Sequence, residues 1–249
     1  MVARPIHRFG TADRLFHGAE AAGPREGAAA LFGVAGEPSR ALRDASWSLP
    51  PAAGLSDLGD IAEPTAAPAA ALAIRARAAR PVLCGCSAAT AAAMLGAVLE
   101  GCGGDAAMVL VSARLDPVLP AAAQLAIGAH DLLPARDVAR WSASGGVVVT
   151  ADAVEAEGAI PVATALARLG RRRGVVLLDM GVIDTGYAAG AEGLNVGGLT
   201  PAGFIAVLAA LRQGLGVEGL AICGLAPERD PRGHSERLAA QAVAALASA

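Results

Sequence analysis

The sequence contains no lysine: every one of its 20 basic residues is an arginine. A Schiff-base lysine, a PLP-anchoring lysine and a phosphate-binding-loop lysine are thereby excluded. Aromatic residues are scarce at 3%, so the core has to be filled by Ala, Val and Leu, with thin side chains and closely packed helices. The four cysteines, Cys84, Cys86, Cys102 and Cys223, are too few and too irregularly spaced for a disulfide framework in a chain this long. A net charge of -3 shows no excess of positive charge for a nucleic-acid face or a polybasic membrane anchor. The opening residues, MVARPIHRFGTADR, lack the apolar segment of a secretory signal. Two uncharged stretches, near 81–99 and 193–211, are interrupted by Gly, Ser, Thr, Pro or Asn and read as strand–turn–helix rather than as membrane spans. The expectation is a soluble, cytoplasmic protein with neither nucleic acid nor membrane as a partner.

What is present is apolar and rhythmic. A hydrophobic content of 54% over 249 residues supports an ordered core and one domain over 1–249. Residues 1–50 read as an irregular N-terminal part. From about 55 onward, strand-like apolar runs alternate with alanine-rich helices: LSDLGDI (55–61), PVLCG (81–85), AMVLVSA (107–113), QLAIGA (124–129), GVVVTA (146–151), GVVLLDM (174–180) and LAICGL (220–225). Continuous apolar runs separated by helices predict a three-layer α/β/α domain around a mostly parallel sheet covered on both faces.

Chemistry in such folds gathers beyond the carboxyl ends of the strands. The residues there are Cys84–Ser87, Ser112–Asp116, His130, Asp179–Asp184 and Pro227–Asp230. His130, followed by Asp131, is the best-placed histidine for catalysis. Cys84 and Cys86, by strand alternation, point to one face and with Cys102 or an aspartate would suit Zn²⁺; small buried cysteines in an alanine core are the plainer reading. Ser235 reads as the N-cap of the last helix.

The segment LLDMGVIDTGYAAGAEGLNVGGLT (177–200) resembles the ureohydrolase family of arginases, agmatinases and formimidoylglutamases. In that family a strand ends in Asp-x-Asp and leads through a Gly-rich loop and Gly-Gly-Leu-Thr into a helix. Asp179, Asp184, Ala188, Gly190, Gly197, Gly198, Leu199 and Thr200 fall on the pattern. LSDLGDI is similar to the family's early Asp-Leu-Gly-Asp strand, PVLCGCSAAT (81–90) to its Gly-Gly-Asp-His-Ser turn, VLVSARLD (109–116) to its Asp-Ala-His-x-Asp strand and GLAPERDP (224–231) to its Asp-x-x-Glu-x-Asn-Pro strand. The resemblance implies an arginase-like fold and a trimer or hexamer, either of this chain alone or with an active relative.

The departures carry the functional expectation. The resemblance implies two Mn²⁺ ions held by two His and four Asp, with a bridging hydroxide attacking a guanidinium-type carbon. Here Ser87, Ser112, Arg114 and Gly181 stand at ligand positions, and only Asp116 and Asp179 remain. Arg114 would place a permanent cation among the remaining carboxylates and satisfy them in the metal's stead. The segment after Asp116 is also too short to carry the family's acid/base histidine. Glu228 matches the glutamate that grips a guanidinium, and Asn195 and Gly197 belong to the same substrate side. The reading is a catalytically degenerate, metal-free member that binds a small cationic ligand or a partner. The alternative is an amidine hydrolase with a rebuilt site, using Mn²⁺, or Zn²⁺ through Cys84 and Cys86.

Overall fold

The computed structural model describes residues 14–247, apart from 22, 104, 116–122, 131–132, 144, 171 and 194. Its strands are β1 (Ala29–Val34), β2 (Leu55–Ile61), β3 (Arg80–Cys86), β4 (Ala106–Val111), β5 (Ala123–Ala129), β6 (Val147–Thr150), β7 (Arg173–Asp179) and β8 (Gly216–Cys223). They form one sheet in the order β2-β1-β3-β8-β7-β4-β5-β6, and every pairing is parallel. The helices between them are α1 (Glu37–Ser46), α2 (Ala67–Arg75), α3 (Ala88–Gly101), α4 (Ala135–Ala143), α5 (Ala151–Glu157), α6 (Ile160–Leu169), α7 (Pro201–Gly214) and α8 (His234–Ala247).

Alternation along each strand sends side chains to two cores. On one face Val82, Val109, Val176 and Leu178 meet Leu42 of α1, Val162 of α6, Phe204 of α7 and Val243 of α8. On the other, Leu83, Met108, Leu110 and Leu177 meet Ile74 of α2, Leu95 of α3 and Trp141 of α4. Burial on both faces is why the strands read as unbroken apolar runs rather than alternating ones. The helix starts follow local chemistry. Ser87 caps α3 by accepting from Thr90 N at 3.2 Å. Thr200 caps α7 by accepting from Gly203 N at 3.1 Å, with Pro201 in the first turn, where a missing N–H costs nothing. α8 starts at His234, and Asp230 rather than Ser235 serves as its cap, accepting from Ser235 N at 2.8 Å.

The N-terminal part is more regular than expected. β1 and α1 lie inside the first fifty residues, and β1 is an interior strand between β2 and β3. AALFGV carries little strand propensity by itself; two flanking strands and burial on both faces make it one. β1 and β2 are tied together by charge. Arg43 of α1 is 1% exposed and donates from Nε to Asp57 Oδ2 at 2.8 Å, from Nη2 to Asp57 Oδ1 at 2.9 Å and from Nη1 to Asp60 Oδ1 at 2.7 Å. The remaining lone pairs are also used. Phe16 N and Gly59 N donate to Asp57, and Ser39 donates to Asp60. Burial alone would lower the Arg43 pKa, but these partners raise it above the usual arginine value.

Candidate functional site

The carboxyl ends of β3, β8, β7 and β4 bring Cys86, Cys223, Asp179 and Ser112 to one edge of the sheet, as the register places Cys86 beside Cys223 and Cys223 beside Asp179. Asp179 ends β7 and its carboxylate is held from within. Oδ2 accepts from Ser112 Oγ at 3.1 Å, and Oδ1 accepts from Gly181 N at 2.9 Å. Gly224, at φ +75°, presses against the same group: a Cβ there would lie 2.4 Å from Asp179 Oδ1. A Cβ on Gly181 would lie 3.2 Å from that oxygen, so a second carboxylate at 181 would crowd the first.

Arg114 does not take the place expected for it. Its backbone N–H is held by Ser112 Oγ at 3.2 Å, but its side chain is exposed and, among the described residues, forms no ion pair. Asp179 is already satisfied by a hydroxyl and an amide, which come from residues two positions before Arg114 and two after Asp179; a long, solvated guanidinium gains little by displacing them. Arg114 Nη2 instead lies 4.0 Å from the position a Cβ on Gly193 would occupy, and Gly181 Cα lies 3.9 Å from the same point. The guanidinium therefore stands over the end of β7. Asp116, the other remaining carboxylate, lies outside the described residues, as does Asp131.

The cysteines also differ from expectation. Gly85 adopts φ +66° and the register slips between Cys84 and Cys86, so alternation fails across it and the two side chains part. Cys84 enters the core under α1, whereas Cys86 packs against the opposite core. A side chain at 85 could not be accommodated, because its Cβ would lie 2.6 Å from Ser39 N. Cys84 and Cys86 thus cannot both face one zinc ion. Burial raises the Cys84 thiol pKa and pushes that of Cys86 up to about 12, and burial, with Asp179 next, raises Cys223 well above the ordinary thiol value. All three remain protonated near neutrality, the inert state of buried cysteines. Among the described residues, no group of three or more His, Cys, Asp and Glu side chains is placed to hold a metal ion.

The loop after β7 is self-braced. Asp184 accepts from Gly197 N and Gly186 N, both at 2.7 Å, and these amides, Gly197 first, hold its pKa below the usual carboxylate value. Asn195 is buried and donates from Nδ2 to the Val182 carbonyl at 3.3 Å, while its backbone exchanges bonds with Thr185. His130 donates from Nε2 to the Val196 carbonyl at 2.8 Å, and Gly197 stands against the same ring nitrogen. Asn195, Gly197 and His130 therefore serve to shape the loop. Glu228, on a 3-10 turn (Pro227–Arg229), keeps a side chain 68% exposed with Arg229 Nε 3.7 Å away. Ser87 is spent on its helix cap.

Two residues of this region gave no signal in the sequence. Glu155 of α5 accepts from Thr200 N at 2.8 Å and from Thr200 Oγ1 at 3.0 and 3.1 Å, so it anchors the Gly-Gly-Leu-Thr segment. Glu192 is held by its backbone, donating from N to the Gly224 carbonyl at 2.9 Å and accepting at its own carbonyl from Arg229 Nη1 at 3.3 Å. Its exposed carboxylate acts electrostatically on Cys86 and Cys223. Neither position stands in a recognisable spacing; each acquires its place from elements distant in the chain.

An all-parallel α/β sheet with its polar residues at the strands' carboxyl ends and a braced Asp-to-Gly-Gly-Leu-Thr loop defines a ureohydrolase-like fold. The arginase family model matches residues 96–248, and the chain belongs to that family. Similar solved structures include proclavaminate amidino hydrolase from Streptomyces clavuligerus (21% identity, 97% of this chain and 97% of that chain, TM-score 0.78). A hypothetical agmatinase from Burkholderia thailandensis is also similar (18% identity, 89% and 84%, TM-score 0.75). So is Trypanosoma cruzi formiminoglutamase with Mn²⁺ (16% identity, 92% and 95%, TM-score 0.76). No curated protein matches in sequence. Among the described residues no helix is long and apolar enough to cross a membrane.

Proposed function

We propose that this chain is a non-hydrolytic member of the arginase family, a cytoplasmic oligomer subunit whose cleft binds rather than turns over a small ligand. The observation that carries the reading is the state of Asp179. Its carboxylate is closed by Ser112 and Gly181, with Gly224 packed against it, instead of standing open for a cation. The residues at the other ligand positions do not fit a pair of Mn²⁺ ions, which take carboxylate oxygens and imidazole. Ser87 and Ser112 offer neutral hydroxyls that are already hydrogen-bonded, Gly181 offers no donor, and Arg114 is itself a cation. No hydrolytic step is therefore routed through a metal. The test is elemental analysis of the purified, chelator-treated and Mn²⁺-reloaded protein, with urea and ammonia release from arginine, agmatine and formimidoylglutamate. Metal content near zero per chain and no product is the expected result. Two equivalents of Mn per chain with turnover would overturn the reading and establish a rebuilt site. Sedimentation of the same sample, alone and with an active relative, checks for a trimer or hexamer.

A further inference from the structure

Two side chains at the cleft carry opposite charges and remain unspent. Arg114 and Glu192 are both exposed, and among the described residues neither side chain takes part in an ion pair or hydrogen bond. Both are nevertheless fixed in place. Ser112 holds the Arg114 backbone, next to the buried Leu115 and Ala113, and Gly224 and Arg229 hold the Glu192 backbone. They flank Gly193: Glu192 precedes it in the chain and the Arg114 guanidinium approaches where its side chain would be. Both act electrostatically on Cys223, so both charges lie over the same strand end. Asp179 beneath them is neutralised in hydrogen-bonding terms and does not compete for Arg114.

Resting on the reading that this cleft holds no metal pair, we infer that it binds a small zwitterion with its carboxylate on Arg114 and its cationic end toward Glu192. The planar fork of a guanidinium matches a carboxylate bidentately. An unpaired Arg and an unpaired Glu held apart on rigid supports are complementary to a ligand carrying both signs, and discriminate against one carrying either alone. The glycine at 193 leaves backbone rather than side chain between them. The anionic end of the ligand is thus received at the strand end where Arg114 stands in place of a metal ligand.

Isothermal titration calorimetry on the full-length protein tests this with three probes: 4-guanidinobutyrate, which carries both charges, agmatine, which lacks the carboxylate, and glutarate, which lacks the cation. The expected result is binding of 4-guanidinobutyrate at least about tenfold tighter than either other probe, weakening with added salt. Arg114→Gln lowers that affinity about tenfold or more, and Arg114→Lys restores only part of it. Glu192→Gln removes the preference over glutarate. Binding of agmatine as tight as that of 4-guanidinobutyrate, indifference to Arg114→Gln in a variant that melts normally, or no binding of any probe would each overturn the inference. These failures are separable from failure of the proposed function, which is read from Mn content and product release.

Discussion

The molecule contains two arginines near strand ends that face acidic neighbours, and they end in opposite states. Arg43 is sealed under α1 with every carboxylate oxygen of Asp57 and Asp60 engaged; Arg114 stands in solvent with none. A buried cation must be paired or it destabilises the fold, whereas a solvated one gains little by pairing. Arg43 is accordingly structural, and Arg114 is left for a ligand.

The contrast can be broken most forcefully at Arg43. Arg43→Ala strands Asp57, which is 3% exposed, and is expected to cost roughly 3–5 kcal/mol, measured by urea unfolding; a loss below about 1 kcal/mol would equate it with a surface pair. Gly224→Ala comes next. At φ +75° with its Cβ 2.4 Å from Asp179 Oδ1, it should cost about 2–3 kcal/mol through backbone strain and displacement of that carboxylate. Ser87→Ala removes the α3 cap and should cost about 1 kcal/mol. Arg114→Gln, at the other extreme, should leave unfolding within about 0.5 kcal/mol of the parent while changing ligand binding.

A third charged group sharpens the same lesson. Glu236 is 2% exposed and both its oxygens lack a partner among the described residues. Burial raises its pKa above the ordinary glutamate value, with the nearby charges of Asp230 and Glu228 adding to the effect. The folded state then holds the proton more tightly than the unfolded state. The stabilisation is full below the unfolded pKa, near 4.3 for a free glutamate, and is lost as pH rises through the folded one. Glu236→Met should flatten that part of the pH–stability curve and make the protein more stable than the parent above it; a curve unchanged by the substitution would mean that solvent reaches the carboxylate.

Much of the fold and some of the site were legible in the residues. The apolar runs at 81–85, 124–129 and 174–180 predicted β3, β5 and β7 to within a residue or two, because strands buried on both faces need no partner to declare themselves. The spacing from Asp179 to Thr200 predicted the braced loop, since an aspartate collecting glycine amides and a threonine capping a helix act locally. β1 was hidden, because alanine and glycine become strand only between neighbours.

Local chemistry, acting over a few residues, thus determined the strand–helix alternation, the caps, the loop and the replacement of ligand-type residues by Ser87, Ser112, Arg114 and Gly181. Which groups meet was decided only by the tertiary structure. The bulge at Gly85 parted Cys84 from Cys86, the packing of α1 gave Arg43 to Asp57 and Asp60, and the meeting of β4 with β7 gave Asp179 to Ser112 instead of Arg114. The reason is physical: pairing between distant residues depends on burial and on competing partners, and neither quantity exists until the chain has folded.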